Sequence, residues 1–476
     1  MIGRQRALLY VGLLALGCCA CNPAHQAVRP SDITPKAVPK SFSKSTRADP
    51  PGGDWWIQLG STELTALIQD ASLDNLDIQQ ARARIEQAQA IVGIAGSARR
   101  PTVDASFSAT RSRNPFIPVG PPVVVDQLGV SIGAAYELDV WDRLGATQRA
   151  AEYDRRAAQL DQHALLMSVT AQIAETWLLL IEQRATKQLI DAQVETNKTL
   201  LQLVQVRFGN GLAQAADVLR QQQQVLATRS LLPSIDAQRK TLEHQLAILV
   251  GQAPSEGKKL AGKTVKMPPL SPLPKTGLPS DLLARRPDIA AARIRVSAAD
   301  ERIGAAIADR FPAFRIQAST GFGATSFAEL LDRWLWSLTG SLVAPLFDGG
   351  RRAAEVERTR AVLDGLTAAF QGLFLNAIRE VEDALVLEFH ETERIERLTA
   401  ELTAGQKLLE ESRARYLEGL GDYLAVITAV QAMQRTERTL LASQRQRLSH
   451  RIRLHRALGG TWAGHLDQQG QVGVHP

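Results

Sequence analysis

The sequence predicts a mainly α-helical protein with membrane-crossing β-strands, built by internal duplication. The duplication is visible as strings that return in the same order. Arg207-Phe208-Gly209-Asn210-Gly211 reappears 208 positions later as Arg415-Tyr416-Leu417-Glu418-Gly419. Arg100-Pro101-Thr102-Val103 returns as Phe311-Pro312-Ala313-Phe314, and Val140-Trp141-Asp142-Arg143 as Leu346-Phe347-Asp348-Gly349-Gly350-Arg351. A period of this size lies far above the roughly 20–50 residues of solenoid repeats, so it marks one large unit copied once. The other two observations are the strict alternation in short segments and the long, proline-free helical runs.

The alternating segments precede the long helical run in each copy. Val103, Ala105, Phe107 and Ala109 alternate with Asp104, Ser106, Ser108 and Thr110; Leu128, Val130, Ile132, Ala134, Tyr136 and Leu138 alternate with Gly129, Ser131, Gly133, Glu137 and Asp139. In the second copy Phe314, Ile316, Ala318 and Phe322 mark one segment, and Trp336, Leu338, Leu342 and Ala344 the other. Period 2 with one apolar face is the signature of a strand. The segments are long enough to meet the ~9–11 residues a tilted strand needs to cross a membrane. Aromatic residues are only 5% of the chain, yet Tyr136, Trp141, Trp334, Trp336 and Phe347 gather near segment ends, where an interfacial girdle belongs. No segment reads as a transmembrane helix, so a membrane crossing is expected to be a barrel. Four strands cannot close one, because the smallest have about eight. The barrel is therefore expected to be shared between subunits, with Ile132 and Leu338 facing out and Ser131 facing in.

A helix opens each copy. The first is expected from Ser61, whose neighbours Thr62 and Glu63 offer a cap, to about Ala98, where Pro101 stops it. From Arg143 to Arg207 there is no proline and one glycine. Leu178, Ile181, Ala185, Leu189 and Ala192 follow heptad-like spacing there, as do Phe370, Leu373, Ala377, Val381 and Ala384 in the second copy. Return helices follow at Ala216–Val250, interrupted by Pro233, and Tyr423–Leu458. The divisions are a signal at 1–17, an extended leader at 18–60, the first repeat at 61–251, a Pro-rich linker at 252–281, the second repeat at 282–459 and a tail at 460–476.

Arg4 and Arg6 precede the short apolar run Ala7–Leu16, a targeting pattern too short to span a bilayer. All three cysteines lie at 18, 19 and 21, which excludes an internal disulfide framework. Leu14-Ala15-Leu16-Gly17 before Cys18 reads as a lipoprotein signal with Cys18 lipidated, Cys19 being the alternative. No Asp follows it to signal inner-membrane retention, so the outer membrane is favoured. Net charge is +6, but the bases are mixed with acids along the helices, which argues against a nucleic-acid partner. No phosphate loop, Gly-x-Ser-x-Gly or His-Glu-x-x-His is present. His163, His244 and His450 read as surface residues, and neither metal, cofactor nor catalytic residue is expected.

Together these features resemble the TolC-type outer-membrane efflux factors, in particular their lipidated OprM/NodT branch. The strings that carry the resemblance are Trp55-Trp56 with Leu59-Gly60, Asn75-Leu76-Asp77-Ile78, and Tyr136-Glu137-Leu138-Asp139-Val140-Trp141-Asp142-Arg143. In the second copy they are Leu282-Leu283-Ala284-Arg285-Arg286-Pro287-Asp288-Ile289, Phe311-Pro312 and Pro345-Leu346-Phe347-Asp348-Gly349-Gly350-Arg351. Ser61-Thr62-Glu63 departs from the family's usual Asp-Pro. The resemblance implies a homotrimer whose subunits give four strands each to one 12-stranded β-barrel, continued by an α-helical coiled-coil tunnel through the periplasm. It also implies a periplasmic adaptor and an inner-membrane RND pump as partners, outer-membrane lipid around the barrel, and passive export of toxic small molecules. A protein-secretion duct and a lipid-anchored periplasmic coiled-coil scaffold are the alternatives.

The turns at Gly209–Gly211 and Gly419–Gly421 are expected at the periplasmic tip, with Leu212 and Leu420 beside them as adaptor contacts or as staples of the turn. Asp422, with Tyr423 behind it, reads either as the narrowest ring of a closed channel, paired with Arg413 or Arg415, or as a helix cap.

Overall fold

The computed structural model describes residues 33–35, 38–43, 54–114 and 123–460. The signal at 1–17, Cys18, Cys19, Cys21, the 115–122 loop and the tail from 461 lie outside the described residues. Among the described residues, eight helices of 13 residues or more and four strands carry the fold. They are α1 (Thr62–Asp74), α2 (Leu76–Ser97), β1 (Thr102–Asn114), β2 (Val123–Leu138), α3 (Arg143–Gly209), α4 (Ala215–Arg229), α5 (Leu232–Leu249), α6 (Pro287–Ala308), β3 (Ala313–Ala324), β4 (Trp334–Val343), α7 (Arg351–Leu417) and α8 (Tyr423–Ala457). Helices α3 and α7 are each 67 residues long, and both of their ends are separated by the same 208 positions as the sequence repeat.

The chain divides into two compact units. One comprises Ala83–Gln159 and Ala291–Gln371 with the N-terminal piece to Pro35. It holds a single antiparallel sheet in the order β1-β2-β3-β4. The two hairpins obey the repeat: Thr102 faces Ala135 in the first and Ala313 faces Val343 in the second.

The other unit, Lys36–Arg82, Leu160–Ala290 and Gly372–Pro476, contains the main apolar core. Leu64, Leu67, Ile68 and Ala71 of α1 pack with Ile173, Trp177, Leu178 and Ile181 of α3, Leu246 of α5 and Leu448 and Ile452 of α8. Ser61 caps α1 as its position suggests, accepting from the Leu64 N–H at 3.1 Å. The expected single helix from Ser61 is broken at Asn75. Its side chain accepts from the Ile78 N–H at 3.1 Å and donates to the Leu249 carbonyl at 2.8 Å. The second copy solves the same problem with Arg286, whose guanidinium reaches the Ala457 carbonyl, 208 positions after Leu249, and holds Asp288 and Glu380 at 2.7 Å. These carboxylates keep the buried guanidinium above its ordinary pKa even though burial opposes its charge. Opposite each break stands a glycine with positive φ, Gly251 at 81° and Gly459 at 102°. A Cβ there would come within 2.1 Å of the Asp74 carbonyl oxygen or 2.6 Å of that of Arg285.

Four expectations are corrected here. Trp55–Leu59, placed in the extended leader, forms a 3-10 turn with Trp55, Trp56 and Leu59 in the core. The heptad stripe of the second copy is largely buried, but in the first Ala192 is exposed and the seam passes to Ile190 and Val194, which pack on Ile235. His450 is buried rather than on the surface. Finally, α3 and α7 each contain an 18-residue window apolar enough by length and composition to cross a membrane, with mean hydropathy 1.6 and 1.4. Half of that window is buried inside the protein in α3 and 22% of it in α7.

Arginines fasten the segment between the copies. Arg451 makes a two-pronged ion pair with Glu388, both side chains buried, and donates to the Ser271 and Pro272 carbonyls. Arg184 donates to the carbonyls of Ala261 and Thr264 at 2.6 and 3.0 Å. One turn beyond Arg451, His455 stacks on Trp55 at 5.4 Å. Burial, with Arg451 adding to it, pushes His455 down to about 4. An unfolded imidazole titrates near 6.5, so the unfolded chain binds the extra proton between these values. Stability is then full above about pH 6.5 and falls by about 3 kcal/mol as the pH drops to 4. His455→Phe, which keeps a ring on Trp55, is expected to flatten that acid limb in melting curves; an unchanged limb would assign it to other groups.

Candidate channel wall and helical tip

The sheet register sorts every side chain to a face. One face carries Val103, Ala105, Phe107 and Ala109 of β1, Leu128 through Leu138 at even positions of β2, Phe314, Ile316, Ala318 and Phe322 of β3, and Trp334, Trp336, Leu338 and Leu342 of β4. Thr320 and Gly340 interrupt it. The opposite face holds small and polar groups: Ser106 and Ser131 bonded through their hydroxyls at 2.8 Å, Ser319 and Ser337 at 2.9 Å, and glycines at 129, 133, 321 and 323. Thus Ile132 and Leu338 share the apolar face and Ser131 lies on the other. The apolar face is uncovered, Leu338 being 67% exposed. β1 and β4 each have one neighbour among the described strands, so both sheet edges are open.

Burying that face in water-free surroundings is favourable for the side chains, but open edges there would strand backbone donors and acceptors at several kcal/mol each. An amphipathic sheet with a hydroxyl- and glycine-rich inner face is built to curve into a wall with water on one side and hydrocarbon on the other.

The candidate girdle residues separate into two groups. Trp334, Trp336 and Phe347 are exposed, whereas Tyr136 and Trp141 are half-buried. Trp141 serves the strand-to-helix junction: its Nε1–H donates to the Pro312 carbonyl at 2.8 Å and its ring packs on Phe311 at 4.9 Å. At the same junction Asp139 accepts from the N–H groups of Leu144 and Gly145 at 3.0 and 2.7 Å, capping α3. Asp142 takes a left-handed conformation, φ 59°, where the second copy has Gly350 at 85°. The sequence offered no sign of that strain, since the first copy lacks the glycines.

In the helical unit the two turns are built alike. Gly211 (φ 74°) and Gly419 (φ 78°) lie 208 positions apart. After each, the leucine N–H reaches back over the helix end, Leu212 to the Arg207 carbonyl at 2.8 Å and Leu420 to that of Arg415 at 2.9 Å. This is the glycine-terminated helix stop, for which φ > 0 is required. Gly209 and Gly421, expected to serve the same purpose, lack positive φ; the backbone turns at one glycine per tip. Leu212 and Leu420 are exposed.

Asp422 is the N-cap of α8, its carboxylate accepting from the Ala425 N–H at 3.0 Å. No ion pair to Arg413 or Arg415 forms among the described residues, and the Asp422 side chain stays exposed. Tyr423 is buried and donates its hydroxyl to Gln221 at 2.7 Å; burial raises its pKa, so it remains a neutral donor. Its ring lies 5.2 Å from that of Tyr416, over which Arg207 stacks at 4.7 Å while donating to the Leu417 carbonyl at 3.1 Å. Above this lies a polar layer that sequence reasoning missed. Buried Gln221 donates to the Asn197 carbonyl at 2.7 Å, and buried Asn197 reaches Thr228 at 2.9 Å and Gln434 at 3.3 Å. In a heptad reading such polar residues sit outside the apolar seam; only their partners on other helices reveal them.

The family described as "Outer membrane efflux protein" matches residues 67–252 and 278–460, one segment per repeat. The pyoverdine export outer membrane protein OpmQ of Pseudomonas aeruginosa is 28% identical, with 96% of each chain aligned. Among solved structures, the outer-membrane channel OprN superposes with a TM-score of 0.85 at 24% identity, covering 93% of this chain and all of that one. The CmeC outer membrane channel of Campylobacter jejuni gives 0.86 at 18%, covering 94% and 98%. With both repeats matched and the open amphipathic sheet in place, the chain belongs to the outer membrane efflux protein family, the TolC-type channels of the outer membrane.

Proposed function

We propose that this chain is one subunit of a homotrimeric exit duct in a tripartite pump exporting toxic small molecules, docked through a periplasmic adaptor to an inner-membrane RND transporter. The observation that carries the reading is the sheet, with its apolar face exposed and both edges open. Three copies supply 12 strands, and edge closure removes the stranded backbone groups. Because the hairpins are related by the repeat, the pairing of β2 with β3 is a template for β4 meeting β1 of the next subunit. Leu346, 96% exposed, lies just past β4, beside the edge that the next subunit would pair. Lipidation at Cys18, or at Cys19, adds an anchor to a barrel that inserts by itself.

The tip of the duct is assigned to the Gly211 and Gly419 turns, with Leu212 and Leu420 meeting the adaptor. Closure at rest is assigned to Asp422 and Tyr423, where the carboxylate that caps α8 also forms the constricting ring. Replacing Leu212 and Leu420 together with Asp is expected to abolish crosslinking to the adaptor while the detergent-solubilised particle keeps three times the mass of the chain. Retained crosslinking would remove the leucines from the contact; a stable monomer for the unmodified protein would overturn the duct itself.

A further inference from the structure

The outward face of the sheet changes character beyond its apolar band. Arg111 and Arg113 continue the series Val103, Ala105, Phe107, Ala109 on that face, with Arg111 opposite Asp126 and Arg113 opposite Val124. Both arginines are exposed. Arg111 lies four residues past Phe107, which shares a row with Val130, Phe322 and Trp334, so about 13 Å of strand separates it from the aromatics. Among the paired residues of β1 and β2 at the same level, the polar face carries Thr110, Ser112, Val125 and Gln127, none of them charged. Cations have thus been placed on the lipid-facing side and neutral groups on the lumen side. Water would solvate a guanidinium equally on either, so solvation gives no reason for the sorting.

We propose that Arg111 and Arg113 form a contact for the phosphate groups of a phosphorylated glycolipid in the outer leaflet. The proposal rests on the reading that the apolar face meets lipid. The planar guanidinium fork matches phosphate in bidentate geometry, and two adjacent forks suit a lipid that carries more than one phosphate. Asp126 is the opposing charge. It holds Arg111 at 3.5 Å with side chains 77% and 48% exposed, a surface pair weak enough for a phosphate to displace.

The test uses the full-length protein purified in detergent, incubated with bis-phosphorylated lipid A, dephosphorylated lipid A, phosphatidylglycerol or inorganic phosphate, with bound lipid read by native mass spectrometry. The unmodified protein is expected to retain bis-phosphorylated lipid A, and Arg111→Gln/Arg113→Gln to retain it at least about tenfold less. Asp126→Asn is expected to retain more. Heat-modifiable migration reports the barrel in each sample. Equal retention by an intact double-variant barrel overturns the contact, as does equal binding of dephosphorylated lipid A or phosphatidylglycerol. Displacement by millimolar inorganic phosphate would show a bare anion site and overturn the glycolipid assignment. Absence of heat-modifiability in the unmodified protein would overturn the duct reading, and the lipid contact with it.

Discussion

Leu338→Arg is expected to cost about 2–4 kcal/mol per chain, and a trimer carries that cost three times. Leu338 lies on the exposed apolar face, in the row of Val103, Ala134 and Ala318, where an outward guanidinium has hydrocarbon and no counter-charge around it. Ser131→Arg, on the other face beside Ser106, leaves its charge in the water-filled lumen and is expected to fold like the unmodified protein. Denaturant titrations of refolding into lipid vesicles, read by heat-modifiable migration, separate the two. Equal costs at both positions would mean that the faces are reversed or that the sheet does not line a membrane.

Arg451→Ala is the second large effect, expected to cost about 3–5 kcal/mol because it leaves the Glu388 carboxylate buried without a counter-charge. The same change frees the Ser271 and Pro272 carbonyls, so proteolysis within 252–281 should quicken alongside the fall in melting temperature. Arg451→Lys keeps a positive charge but cannot reach two carboxylate oxygens and two carbonyls from one planar fork, and an intermediate loss is expected. Arg451→Met with Glu388→Leu removes both charges at similar volume and should recover most of the stability while the linker stays loose. A single Arg451→Ala variant as stable as the unmodified protein would show that the pair is solvated rather than buried.

Much of the architecture was legible without coordinates, for a reason that differs by element. Strand faces follow from period 2 alone, because successive side chains on a pleated strand must point to opposite sides; Ser131 and Ile132 could be assigned from their neighbours. The repeat carried the helices in the same way. Once Arg207 and Arg415 were matched, the lengths of α3 and α7 and the leucines after each tip glycine followed by offset. Local chemistry likewise announced the Ser61 cap and the glycine stops.

Tertiary structure decided what depends on partners far along the chain. The break at Asn75 carries no proline or glycine signal, since it is held by a carbonyl 174 residues away. Arg286 performs the equivalent task in the second copy with a different side chain, so comparing the copies hides the correspondence. Asn197, Gln221 and Gln434 are buried because three helices converge on them, and periodicity along any one helix ranks them as solvent-facing. Asp142 holds a left-handed backbone that residue type alone disfavours, in a turn where Asp139 caps α3 and Arg149 pairs with it at 2.7 Å. A sequence records the preferences of each residue over its own few neighbours; which distant group completes a hydrogen bond, or tips a strained turn into place, exists only once the chain has folded back on itself.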